Sequence, residues 1–242
     1  MVKISVVVPA FNEEKLLGES LAQIKSAAKA FLERNWTFEL IVCDNNSTDR
    51  TAEIARASGA KVVFEPVNQI ARARNSGAAA TTGDWLIFVD ADSHPGAELF
   101  AEVAEQILSG NCLAGGVTIH LDAAHLPAQI ITSFWNCVSR SRKLLAGSFI
   151  FCNAEAFRQI GGFSNELFVA EELELSKRLK ELAKKTGKRM VILHRHPLLT
   201  SGRKVRLYSM REHLRFIGRA LFNQRRAMTS REEAHLWYDG RR

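Results

Sequence analysis

Trp85-Leu86-Ile87-Phe88-Val89-Asp90-Ala91-Asp92 decides how the chain is read. Five apolar residues follow one another without alternation, the pattern of a strand covered on both faces, as in a parallel sheet. The first carboxylate ends that strand and the second lies two residues on, past the sheet's edge. In open parallel sheets ligands bind beyond the carboxyl ends of the strands. Two acids placed there repel one another without a cation, and oxygen donors suit magnesium or manganese. An ion on Asp92 would bridge to a diphosphate and neutralise charge developing on a leaving group.

Working outward, the same strand pattern recurs at Ile4–Val8, Phe38–Cys43 and Lys61–Phe64. Between these runs lie helical patterns over Glu13–Phe31, Arg50–Ser58, Ile70–Thr82 and Gly96–Leu108. Ser47-Thr48-Asp49 offers caps to the second of these helices and Gly59 closes it. Alternating strands and helices predict an α/β fold with a mostly parallel central sheet flanked by helices. Further on, strands are expected at Val117–Leu121, Phe149–Cys152 and Met190–Leu193, and helices at Ile130–Leu145 and Val169–Lys185. Leu207, Met210, Leu214, Ile217 and Leu221 then form one apolar stripe flanked by Arg211, Arg215 and Arg219. The organisation expected is one domain over 1–200 with a basic helical extension over 201–242.

The chain has 242 residues, 46% hydrophobic and 24% charged, which excludes disordered, collagen-like and disulfide-scaffold classes. Its net charge of +7 is uneven, since 11 basic residues face 4 acidic ones in 201–242 and the rest balances. That points to an anionic partner for the extension alone. No run approaches a membrane span, and the N-terminal apolar stretch is too short for a signal peptide. Cys43, Cys112, Cys137 and Cys152 show no paired spacing, which predicts reduced thiols and a cytoplasmic location.

Two more strand ends carry polar loops, Pro9-Ala10-Phe11-Asn12-Glu13 and Asp44-Asn45-Asn46-Ser47-Thr48-Asp49. No Gly-rich phosphate loop is present, so ATPase and oxidoreductase readings lose their usual support. Taken with Ala73-Arg74-Asn75-Ser76-Gly77, Asp90-Ala91-Asp92, Gly161-Gly162-Phe163 and Glu171-Glu172-Leu173-Glu174-Leu175, these segments resemble glycosyltransferase family 2 in order and approximate spacing. The resemblance covers residues 4 to 180. It implies the GT-A fold, a nucleotide-diphosphate sugar donor, a divalent cation (Mg2+ or Mn2+) and inversion at the anomeric carbon. On that resemblance, Pro9, Phe11 and Glu13 line the nucleoside pocket and Asp44 accepts a hydrogen bond from the base. Asp90, with Ala91 beside it, lies by the ribose, and Asp92 holds the metal. Arg72 or Arg74 approaches the base or the diphosphate, with a solvated helix-face arginine as the alternative.

An inverting transfer needs a carboxylate within reach of the acceptor hydroxyl, opposite the departing diphosphate. The family usually has Glu-Asp where this chain has Glu171-Glu172, so Glu172 is the expected base and Glu171 the fallback. The plainer alternative is a helix N-terminus that favours acids through its dipole. His196, expected in a loop after a strand, is the candidate second metal ligand, against a surface histidine. The 207–221 stripe either packs on the domain or docks on anionic lipid at the inner membrane face, which would suit a lipid-linked acceptor. Ser201-Gly202-Arg203-Lys204 is a candidate closure over the donor phosphates. A sugar-nucleotide nucleotidyltransferase would carry a Gly-rich N-terminal loop, which Pro9–Glu13 is not. A nucleic-acid-binding module would leave the acidic loops unexplained, so no nucleic acid is expected.

Overall fold

Every residue from Ile4 to Val8 is buried, and a strand buried on both sides needs a layer on each. The computed structural model, which describes residues 1–122 and 126–201, supplies both layers. Strands β1 (Lys3–Ala10), β2 (Thr37–Asp44), β3 (Lys61–Phe64) and β4 (Trp85–Val89) run parallel. Helices α1 (Leu17–Ala27), α2 (Lys29–Leu32), α3 (Thr51–Ala57) and α4 (Ile70–Ala79) connect them. The second half adds β5 (Ser93–His94), α5 (Ala97–Leu108), β6 (Cys112–Leu121), α6 (Leu126–Arg142), β7 (Phe149–Asn153), α7 (Ala154–Gln159), α8 (Glu171–Lys185) and β8 (Arg189–Thr200).

One sheet results, in the order β3-β2-β1-β4-β7-β6-β8-β5. β7 is antiparallel to both β4 and β6, β6 and β8 are parallel, and β5 caps β8 antiparallel. Four of the seven pairings are therefore parallel. Phe31, Phe100 and Phe149 centre the core under α1, α2 and α5. Phe88, Phe157 and Phe163 centre the other, under α4, α7 and α8.

Several element bounds differ from the sequence expectations for local reasons. The long N-terminal helix begins only at Leu17, because the Glu13 carbonyl accepts from the amides of Leu16 and Leu17 in a turn. It then breaks at Ala28. Helix α6 lies some three residues earlier than expected and stops before Lys143, whose φ of 50° leaves the helical region. The strand expected to end at Leu193 continues to Thr200. Val117 pairs with Leu193 but Ile119 with Leu198, so His194–Pro197 form a bulge inside β8. Pro197 sits there without costing a ladder bond, and Arg195 pairs with Glu102 and Glu105 of α5. The expected extension beyond Ser201, including the 207–221 stripe and Gly202–Lys204, lies outside the described residues.

Candidate active site

β1, β2 and β4 end on one edge, and their loops are stitched together. The Asn12 amide donates to Ser47 Oγ at 3.0 Å, and Asn12 Oδ1 accepts from the Thr48 amide at 2.8 Å. The Glu13 amide donates to Thr51 Oγ1 at 2.8 Å. Pro9 and Ala10 pair with Cys43 and Asp44 across β1 and β2. Asp44 is buried, its Oδ1 accepting from the Ser47 amide at 3.0 Å in a turn at the strand end. Glu13 is buried too, while Phe11 and Asp92 are half-buried and Ala91 is covered. The first two strand-end loops thus form one wall, with Asp90-Ala91-Asp92 beside it.

Arg74 organises the middle of the site. It sits on α4 at 1% exposure, so it is no solvated helix-face residue. Nη1 donates to Glu171 Oε1 at 2.6 Å, and Nη2 donates to Asp90 Oδ1 at 3.0 Å and to the Gly147 carbonyl at 2.9 Å. The Phe163 ring lies 5.2 Å from its guanidinium carbon. Burial works against the charge, but the carboxylates of Asp90, Glu171 and Glu172 outweigh it and hold the guanidinium's pKa above its usual value. Next to it on the helix, Asn75 exchanges both amide bonds with the Phe163 backbone at 2.9 Å. Gly77 lets α4 approach β1, because a Cβ there would lie 2.4 Å from Val7 Cγ1. The Ala73–Gly77 motif thus serves charge, anchoring and packing in turn.

Glu171 and Glu172 open α8, directly after Ala170, a left-handed residue at φ 63°. That backbone turn sends the two neighbours into different surroundings. Glu171 is 4% exposed and spent on Arg74. Glu172 is half-buried, and burial, then the Glu171 charge, push its carboxyl up to about 8, with Arg74 opposing. The two acids are therefore inequivalent.

Arg72 is half-buried and donates to Gln69 Oε1 at 3.1 Å, while Gln69 Nε2 holds the carbonyls of Asn165 and Leu167. It braces the loop before α8. The amide beside Asp92 belongs to Ser201, which donates to the Asp92 carbonyl at 3.2 Å. His196 stands five residues upstream, exposed in the β8 bulge rather than in a loop after the strand. Among the described residues no three His, Cys, Asp or Glu side chains gather as a ligand cage. Sequence reasoning missed Gly147 as a partner of Arg74 and the Phe163 ring against its guanidinium, since nothing in the linear pattern ties these positions to residue 74.

Comparison with known proteins fits this geometry. Residues 5–156 match the family described as Glycosyl transferase family 2. The chain belongs to that family. It is 42% identical over 96 residues to 4,4'-diaponeurosporenoate glycosyltransferase of Staphylococcus haemolyticus, a match covering 37% of this chain and 24% of that protein. It also resembles TarS 1-349 of S. aureus in complex with UDP-GlcNAc, at TM-score 0.64 and 21% identity, over 97% of this chain and 69% of that one. A mannosyltransferase of Pyrobaculum calidifontis in complex with GDP-Man and Mn2+ aligns at TM-score 0.68 and 19% identity, over 90% and 60% of the two chains. The expected GT-A fold is the one shared with these structures. The matched stretch spans only about a quarter of the first curated relatives, 26% and 24% of their lengths.

Proposed function

We propose that the protein moves a sugar from a nucleotide-diphosphate donor to an acceptor hydroxyl, with inversion and with Glu172 as general base. The observation that carries this reading is the split between the two acids. Arg74 bridges Asp90 and Glu171, and Glu172 is left half-buried with a carboxyl pushed up to about 8. A base with a pKa near the working pH takes a proton efficiently. The acceptor hydroxyl gives its proton to Glu172 as its oxygen attacks the anomeric carbon. The bond from that carbon to the diphosphate oxygen breaks, and its electron pair leaves with the diphosphate.

Pro9, Phe11, Glu13 and Asp44 form the nucleoside wall, and Asp90 with Ala91 borders the ribose. Asp92, two residues past the Asp90 that Arg74 holds and beyond the end of β4, is the carboxylate that would hold Mg2+ or Mn2+. One carboxylate at an open rim suits an ion that takes its remaining ligands from phosphate and water. Such an ion supplies charge neutralisation on the departing diphosphate. The nucleotide-sugars and manganese named for the structural neighbours support the same reading. Glu172→Gln is expected to lower transfer roughly 10²–10⁴-fold while UDP and GDP bind as before. Turnover near wild type in that variant would remove Glu172 as the base.

A further inference from the structure

Beneath α6 lies a cavity of about 630 Å³, a size typical of small-ligand sites. Its lining includes Thr118 of β6, Ser133, Cys137 and Arg140 of α6, and His194 of β8. Thr118 is only 5% exposed, and its Oγ1 has no hydrogen-bond partner among the described residues. Buried hydroxyls are normally satisfied, so an orphan in the wall of a cavity marks a place where a ligand atom belongs. Arg140 has no ion-pair partner among the described residues, and its fork geometry suits phosphate or carboxylate. The cavity wall is set in advance. Asn136 pins α6 to β6 by donating to the Ile119 carbonyl at 2.9 Å and accepting from the Ile119 amide at 3.0 Å.

The register places this cavity beside the proposed reaction. Phe88 pairs with Ile150, and Ile150 with Gly116. The Asp90 amide donates to the Ser148 carbonyl just before β7, and carrying the Ile150–Gly116 register on by two residues sets Thr118 level with Ser148. Two strand spacings put Thr118 about 10 Å from Asp90. Val117 and Leu193 join the α1/α5 core, so Thr118 and His194 point to the opposite face, that of α4 and α8. Glu172 opens α8 on that same face.

We infer that the cavity lined by Thr118, Arg140 and His194 takes an anionic group, phosphate or carboxylate, on the acceptor. This deepens the proposed transfer reaction and rests on it. The acceptor is then a phosphorylated or carboxylated hydroxy compound whose reacting hydroxyl lies a few bonds from its charge. Thr118 donates to one oxygen of that group and Arg140 to two.

Cys137 makes the test local. It is exposed, while Cys43, Cys112 and Cys152 are buried with thiol pKa values raised by burial. In the full chain, iodoacetamide should therefore alkylate Cys137 first. Glycerol 3-phosphate or dihexanoyl phosphatidic acid should slow that labelling at least fivefold, and glycerol should not. Protection by the first alone assigns a soluble acceptor, and by the second alone a lipid headgroup. Arg140→Gln and Thr118→Val should each weaken protection about tenfold while leaving UDP and GDP thermal shifts unchanged. No protection by either phosphate compound or by the carboxylate glycerate, or protection in both variants equal to that of the unsubstituted protein, would overturn the anion site. Protection without any UDP or GDP binding would instead overturn the transferase reading and with it the acceptor role.

Discussion

Arg74 keeps a full charge at a position almost closed to water because two carboxylates and a carbonyl meet its Nη1 and Nη2 donors. Removing such a partner leaves the opposing buried charge stranded. Arg74→Met should cost about 3–5 kcal/mol in urea denaturation, and adding Glu171→Gln should recover part of it. Glu172 yields a pH signature instead. Its carboxylate forms only as pH passes about 8, so transfer should rise tenfold per pH unit below that value and then level off. The stability sign follows from the same raised value. Between the ordinary 4.5 and about 8 the unfolded chain has released a proton that the folded chain still holds, so stability falls as pH rises across that window. Glu172→Gln should flatten this fall when melting is followed from pH 5 to 9. The polar residue types of the site were legible in the sequence. Their division of labour was not, because a carboxyl's pKa depends on what chain folding sets beside it.

At the scale of elements, α4 and α8 carry the argument. A methyl at Gly77 would enter Val7 on β1, so Gly77→Ala should destabilise by about 1–3 kcal/mol through overpacking. Ala170 pays for its left-handed turn with a strain that glycine avoids. Ala170→Gly should raise the unfolding free energy by about 1 kcal/mol, measured by the same denaturation. The existence of both helices was readable from apolar spacing and from Ala-rich or Glu/Lys-rich composition. Their starts were less so. Val169 fits the apolar pattern of α8, yet the helix begins two residues later because Ala170 turns the chain first. β8 shows the reverse error, since His194-Arg195-His196-Pro197 has the polarity of a loop and is carried within the strand as a bulge. Polarity reports exposure, and a bulge is exposed while the strand on either side of it stays paired.

For the whole molecule, the sheet gathers three loops from residues 9 to 92 on one edge and brings α8 to them from the far half of the chain. A ligand that binds only this assembled edge should stabilise the fold globally. UDP or GDP at a hundred times its dissociation constant should add about 2.7 kcal/mol, and Mn2+ should increase the thermal shift further. Asp92→Asn should abolish the manganese increment and spare most of the nucleotide effect. Loss of neither would place the cation elsewhere.

Local pattern alone settled the alternation of strands and helices, the burial of β1 and β4 on both faces, and the loops in which acids cluster. These are legible because an uninterrupted apolar run or a three-and-four spacing is itself the physical requirement for the element. Only the folded chain decided that Arg74 turns inward, that Glu171 is consumed by it across 97 residues, and that Glu172 is left with a raised pKa. It also put His196 in a bulge of β8 and left a lone hydroxyl beneath α6. Charge and hydrogen bonding act over a few ångströms between groups far apart in sequence, so their outcome exists only once the sheet has closed those distances.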